Sequence, residues 1–309
     1  LSAGTSAVLV AQPGAGKTTR VPLALLDGPW RQDGRIIVLE PRRLAARAAA
    51  RHMAKLLGED VGQTVGYRVR MDARISARTR IEVVTEGVFT RLLLDDPELT
   101  GIAAVIFDEF HERSLDADLG LALTLDARAL RPDLRVLVMS ATIDGAAVAH
   151  LLDGAPVIES PGRTFPVETI HAEPDPLQRL EDQVAAATLR ALREHEGSAL
   201  VFLPGQGEIT RTAERLADRL PPDTDLAPLY GQLSQVEQDR AIHPAPPGRR
   251  KVVLATSIAE TSLTIEGIRI VIDSGLRRVP VYEPATGMST LATARVSRAG
   301  ADQRRGRAG

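Results

Sequence analysis

The chain has 309 residues, 44% of them hydrophobic and 25% charged, with a formal net charge of −2. These are the proportions of an ordinary folded protein long enough for two domains, and they exclude a disordered or collagen-like chain. The absence of cysteine excludes a disulfide framework and a thiolate metal site.

Six scattered histidines, at 52, 111, 150, 171, 195 and 243, argue against a zinc cluster. No apolar run approaches the ~20 residues of a membrane span. The N-terminus lacks the cationic and apolar segments of a signal peptide, so the expected compartment is the cytoplasm. The chain opens on Leu1 and stops within a glycine-arginine run, which reads as a piece of a longer protein.

The net charge hides an uneven distribution. Residues 42–80 hold ten Arg or Lys against three Asp or Glu, and residues 276–309 hold seven against two. Two basic zones on an otherwise acidic chain point to local anion-binding surfaces. The plainer alternative is two solvated helix faces. Only three of the 38 basic residues are lysine, at 17, 55 and 251, so Lys17 stands out.

In chain order, short β-branched runs alternate with Ala/Leu/Arg-rich helical stretches, the pattern of βα units around a parallel sheet. The expected strands of the first half are Ala7–Ala11, Arg35–Glu40, Ile81–Thr85, Ala103–Asp108 and Leu134–Ser140, with helices such as Arg43–Leu57 and Ser114–Ala129 between them. The proline-punctuated stretch from Glu159 to Pro176 reads as the crossing between domains. The second half repeats the alternation, with helix Leu177–Glu194, strand Ala199–Leu203, helix Glu208–Leu220 and strands Lys251–Ala255 and Arg269–Asp273. Two extended runs around "PATGM" in residues 276–298 predict a β-hairpin. The fold expected is α/β, two open parallel-sheet domains side by side, spanning 1–162 and 163–309.

The stretch "AQPGAGKTTR", Ala11 to Arg20, follows the first strand and opens a helix. It fits the phosphate-binding pattern G-x-x-x-x-G-K-[ST], except that Ala11 stands where the first glycine belongs. Gly14, Ala15 and Gly16 would turn backbone N–H groups around a polyphosphate, with Thr19 in the following turn, and the helix N-terminus would add partial positive charge. Lys17 would reach the β- and γ-phosphates and Thr18 would ligate Mg²⁺.

Asp108 and Glu109 end an apolar strand. Buried charges there need a partner. In phosphate-loop proteins the metal takes a second anchor from a carboxylate at the end of another parallel strand. Asp108 fits that anchor, with Glu109 beside it to share the ion and take a proton from the attacking water.

"DEFHERSLDADL", from Asp108, resembles the Asp-Glu-x-His box of superfamily 2 helicases, in the DEAH/RHA-like group, and is most similar to its bacterial HrpB branch. The other motifs fall in family order. "EPRRLAARAA" (Glu40–Ala49) resembles motif Ia, "TEG" (Thr85–Gly87) motif Ib and "SAT" (Ser140–Thr142) motif III. "LVFLPGQGEI" (Leu200–Ile209) resembles motif IV, "ATSIAETSLTIEGI" (Ala255–Ile268) motif V and "QRRGRAG" (Gln303–Gly309) motif VI.

The resemblance implies two RecA-like domains that hydrolyse ATP with Mg²⁺ in the cleft between them and translocate on or unwind RNA. It assigns Gln303 to the attacking water and makes Arg307 an arginine finger, and it continues motif VI with a further arginine beyond Gly309. Glu266 falls at a ribose or phosphate contact. Arg51 falls where relatives stack an arginine on adenine, while Ile242 holds the place of their second, aromatic, partner. Arg42, Arg43 and Thr85 of the first domain and Thr256 and Ser257 of the second would hold nucleic acid. His111, Ser140 and Thr142 would couple phosphate state to movement, and the hairpin would act as a wedge.

The partner implied is single-stranded RNA or a tailed duplex, with DNA left open. No membrane partner is expected, the protein would be monomeric, and further C-terminal domains would follow. The alternative function is a nucleotide-operated switch ATPase that binds RNA or protein without unwinding.

Overall fold

The computed structural model describes every residue except 12–15, 142–144, 161–165, 261–264 and 309. The chain divides into two compact units, Leu1–Arg163 and Thr164–Gly309.

The first unit is built on an eight-stranded sheet. In chain order its strands are β1 (Ser6–Ala11), β2 (Arg35–Glu40), β3 (Val65–Val69), β4 (Asp72–Arg74), β5 (Ile81–Thr85), β6 (Ile102–Phe107), β7 (Arg135–Ser140) and β8 (Val157–Ser160). Its helices are α1 (Lys17–Ala24), α2 (Arg43–Leu56), α3 (Glu86–Asp95), α4 (Leu115–Leu130) and α5 (Gly145–Leu151). The spatial order is β4-β3-β5-β2-β6-β7-β1-β8, parallel except for the β3–β4 hairpin at one edge.

The alternation of side chains explains why the central strands are apolar throughout. Ile36 and Val38 of β2, Ala104 and Ile106 of β6, and Leu137 and Met139 of β7 face one layer, where α2 supplies Ala46, Ala50 and Met53. Ile37 and Leu39, Val105 and Phe107, and Val136 and Val138 face the other, against Phe89 and Leu93 of α3, Leu121 of α4 and Val148 of α5. Both faces are covered, as a parallel sheet requires. Helix α2 buries its alanine stripe and leaves Arg43 exposed and Arg47 and Arg51 partly exposed on the opposite side. Gly66 permits the tight β3–β4 hairpin, because a Cβ there would lie 2.4 Å from the Arg74 carbonyl oxygen.

The second unit carries α6 (Leu180–Glu194), β9 (Ser198–Phe202), α7 (Gln206–Leu216), β10 (Thr224–Leu229), α8 (Gln235–Ile242), β11 (Arg250–Ala255) and β12 (Ile268–Asp273). Its parallel sheet has the order β10-β11-β9-β12. Val184, Leu189 and Leu192 of α6 and Ile209 and Leu216 of α7 pack on Ala199, Val201, Val252 and Leu254. A separate antiparallel hairpin follows, β13 (Leu276–Glu283) with β14 (Met288–Arg295), in register from Leu276 with Arg295 to Glu283 with Met288. Helix α9 (Arg298–Arg305) starts at Ser297, whose hydroxyl accepts the Gly300 N–H at 3.2 Å.

The strands expected from the sequence are present, and so is the hairpin. The structure adds β3, β4, β8 and β10. Glu159 and Ser160, expected in the crossing, belong to β8.

Candidate active site

Strands β1, β2, β5, β6 and β7 run parallel, so the loops after their carboxyl ends share one edge of the sheet. That edge is where open α/β sheets bind ligands. The loop after β1 leads into α1 and the loop after β6 carries the acidic pair, with only β7 between them.

Gly16 precedes α1 at φ +75°, in left-handed conformation, and its carbonyl accepts the Thr19 and Arg20 N–H groups at 3.2 and 2.8 Å. Among the described residues no side chain caps this helix start. The next residue, Lys17, is 6% exposed and donates to Glu109 Oε1 at 2.9 Å. Burial pulls Lys17 down, but Asp108, Glu109 and Glu40 together hold it above the ordinary lysine value. Glu40, at the end of β2, is itself fully buried.

Asp108 is buried at the end of β6. Its Oδ2 accepts the Thr18 hydroxyl and its Oδ1 accepts the Glu109 N–H at 2.8 Å. Burial, reinforced by the neighbouring Glu109 charge, pushes its carboxyl up to about 6, against the opposing pull of Lys17 and Thr18. Two carboxylates and one ammonium thus form a buried cluster with a surplus negative charge. A hydroxyl and a carboxylate in contact are hard oxygen donors, which suits Mg²⁺ completed by substrate phosphates. Among the described residues no group of three or more His, Cys, Asp or Glu could hold a metal alone.

Glu109 sits at φ +50° and opens a 3-10 turn, Phe110–Glu112, which Arg113 closes at φ +44°. Two non-glycine residues at positive φ, one on either side of the turn, store strain of about 1 kcal/mol or more each. Phe110 anchors the turn edge-on to Phe107, with ring centroids 6.2 Å apart. His111 Nδ1 lies 3.4 Å from Glu109 Oε2 and 3.3 Å from the Ala141 N–H, which donates to it. A ring nitrogen that accepts this N–H has no proton to give Glu109. Burial also pushes His111 below the ordinary histidine value, which favours the neutral ring. His111 therefore touches Ala141, in the Ser140–Thr142 stretch, directly. Ser140, the last residue of β7, is fully buried beside it.

The residues expected at nucleic acid are distributed differently. Arg42 immediately precedes α2 and its Nη2 donates to Glu112 Oε2 at 3.1 Å. Arg43 is exposed, and Thr85 is buried at the end of β5. Arg51 lines a hollow of about 530 Å³ with Lys55, Glu59, Asp60 and Gln63. Gly14, Ala15 and Thr142 lie outside the described residues.

In the second unit, Thr256 follows β11 with its N–H on the Leu229 carbonyl at 3.2 Å, and Ser257 opens a 3-10 turn. Glu266 is exposed just before β12, and Gln303 is half-buried on α9. Arg307 donates through Nε and Nη2 to the Glu260 carbonyl oxygen at 2.9 and 2.6 Å.

The sequence reading missed Arg304. It is fully buried, with Nε and Nη2 on Glu260 Oε1 at 2.8 and 2.6 Å and Nη1 on Asp273 Oδ1 at 2.5 Å. Its guanidinium also lies 4.8 Å from the Phe202 ring centroid. Nothing in "QRRGRAG" separates this arginine from its neighbours, because its acceptors come from two distant segments.

Two family profiles match in succession, DEAD/DEAH box helicase over residues 1–151 and helicase conserved C-terminal domain over residues 175–309. The ATP-dependent RNA helicase HrpB of Escherichia coli (strain K12) is 54% identical over all of this chain and 38% of its own length. The crystal structure of the E. coli DEAH/RHA helicase HrpB superposes with a TM-score of 0.93 at 55% identity, covering 100% of this chain and 40% of that one. A second crystal structure, of the E. coli DExH-box NTPase HrpB, gives 0.83 at 55% identity, over 100% of this chain and 38% of that one. The chain thus spans about two-fifths of the length of these relatives. Both units share their RecA-like α/β architecture, and the chain belongs to the DEAD/DEAH-box helicase family, in its HrpB branch.

Proposed function

We propose that the chain is the core of an ATP-dependent RNA helicase, in which ATP and Mg²⁺ bind at the carboxyl ends of β1 and β6 and RNA is moved or unwound as ATP is hydrolysed. One observation carries this reading. Residues 17 and 18, just past the glycine-rich loop, meet residues 109 and 108 side chain to side chain.

Lys17 stays charged, so it is ready to hold the β- and γ-phosphates, with the backbone of Gly14, Ala15, Gly16 and Thr19 around them. A phosphate that takes Lys17 releases Glu109, whose carboxylate then accepts a proton from the attacking water. Thr18 and Asp108, with Glu109 beside them, are the residues that would hold Mg²⁺, which when bound offsets the charge developing on the phosphoryl oxygens. From the second unit, Gln303 orients the water and Arg307 stabilises the transferred phosphoryl. Arg51 and Glu266 contact the base and the ribose.

Arg42, Arg43, Thr85, Thr256 and Ser257 hold the RNA through its phosphates, and His111, Ser140 and Thr142 relay phosphate state. Phosphate contacts position a strand without reading it, so little sequence preference follows. The name of the E. coli relative supports RNA as the strand. Among the described residues no helix is long and apolar enough to cross a membrane, and the reading places the protein in the cytoplasm.

The deciding experiment is ATP turnover with and without single-stranded RNA, beside Glu109→Gln. Turnover that rises with RNA and collapses in the variant is expected. Unchanged turnover in Glu109→Gln would refute the assignment of the base. A tailed duplex left intact by an otherwise active protein would favour the non-unwinding switch.

A further inference from the structure

The turn Phe110–Glu112 joins two sets of contacts. At its start is Glu109, paired with Lys17. At its end is Glu112, three-quarters buried or more and bonded to Arg42 at 3.1 Å across 70 residues of chain. Immediately after it, Ser114 donates to Glu86 at 2.6 Å while its oxygen caps α4 by accepting the Ala117 N–H at 2.9 Å. Arg42 stands in the loop after β2 and Glu86 opens α3 directly after β5, and β2 pairs with both β5 and β6. The turn is thus pinned from the neighbouring strand ends, and it is bracketed by left-handed residues at 109 and 113. A strained turn held by a few polar contacts has a second arrangement available when one contact is withdrawn.

Arg42 can satisfy either a carboxylate or a phosphate with the same planar fork. Glu112 therefore competes with any phosphate that Arg42 meets. We propose that Glu112 is a positioning residue that withholds Arg42 from nucleic acid, so that a strand phosphate taking Arg42 frees Glu112 and the 110–112 turn transmits the change to Glu109. This rests on the reading above that Arg42 meets RNA. It adds a path within the first unit from the strand-binding edge to the proposed base. Coupling of this kind is reciprocal: whatever strand binding does to the turn, the state of the turn does to strand affinity.

The test uses the whole chain and a fluorescein-labelled single-stranded oligouridylate. Binding is read by fluorescence polarisation and turnover by phosphate release, for the parent, Glu112→Gln, Arg42→Ala and the double variant. In Glu112→Gln the oligouridylate should bind about threefold tighter, the size of effect a partly exposed ion pair can hold back. Turnover without RNA should rise in the same variant, so that the stimulation factor falls.

In the Arg42→Ala background, Glu112→Gln should change RNA affinity no further, which marks the two residues as one unit. A purely structural role for Glu112 would instead lower turnover equally with and without RNA and leave affinity unchanged, and that result overturns the inference. Additive effects of the two substitutions on affinity overturn it as well. Failure of the underlying reading looks different, because Arg42→Ala alone would then bind the oligouridylate as tightly as the parent does.

Discussion

Each unit buries a cluster of charge, and the two clusters are finished to different degrees. In the second unit Arg304 gives its donors to Glu260, Asp273 and the Leu276 carbonyl and stacks on Phe202. Its charge is answered on every side. In the first unit Lys17 faces both Asp108 and Glu109, and burial, reinforced by the Glu109 charge, holds Asp108 at about 6 against the pull of Lys17. A surplus buried charge costs stability unless a ligand relieves it. A satisfied cluster is therefore a fastening, and an unsatisfied one is a place prepared for a visitor.

Substitutions can break that contrast. Glu109→Gln should lower ATP turnover by about a thousandfold, the range for loss of a general base. It should leave the melting temperature unchanged or higher, since it removes surplus charge. A phosphate-release assay beside calorimetry reads both, and a marked loss of melting temperature would count against the contrast. Arg304→Met should act in the opposite sense, destabilising the second unit by about 3 kcal/mol by leaving Glu260 buried without its cation. Urea denaturation checks it, and a loss under about 1 kcal/mol would refute the fastening.

The pH dependence sharpens the comparison. Asp108 is raised above its unfolded value of 3.8, so the folded form holds its proton more tightly. Its contribution is fully present below about 4 and is lost as pH rises through about 6, a change on the order of 2 kcal/mol. Urea titrations of the chain in EDTA at pH 5 and 7 should show the loss, and Asp108→Asn should remove it. An identical pH slope in the variant would show that Asp108 ionises as freely folded as unfolded. The smallest effect is expected at Gly16. At φ +75°, with Arg20 Cγ 3.2 Å from a would-be Cβ, Gly16→Ala should cost about 1 kcal/mol.

Much of the first unit was legible in the sequence because its chemistry is local. The glycine-rich loop and the Asp108–Glu109 pair each lie at the end of an apolar strand, and such strands are readable as continuous buried runs. What stayed hidden depended on distance along the chain. The Lys17–Glu109 pair joins residues 92 apart, and Arg304 needs Glu260, 44 residues away. Strand β10, TDLAPL, escaped notice because Asp225 and Pro228 weaken its pattern, yet it lies at a sheet edge, where proline is tolerated. Strand β3 was obscured by Gly66 and Arg68, although that glycine is what lets the Arg74 carbonyl approach. Helix α9 is almost wholly polar, with Arg304 alone buried, so no apolar stripe announces it.

The position of β1 has a consequence for how the protein is made. Its two neighbours are β7, in register from Ser6 with Val136, and β8, with Val8 beside Val157. During synthesis β1 therefore has no partner within its unit until the last strands of that unit emerge, a wait on the order of 10 s at ordinary synthesis rates. The glycine-rich stretch proposed to hold ATP follows that strand in the sequence. On the proposed function, a nascent chain would complete its ATP site only at the end of the unit's assembly, after β2, β5 and β6 have emerged.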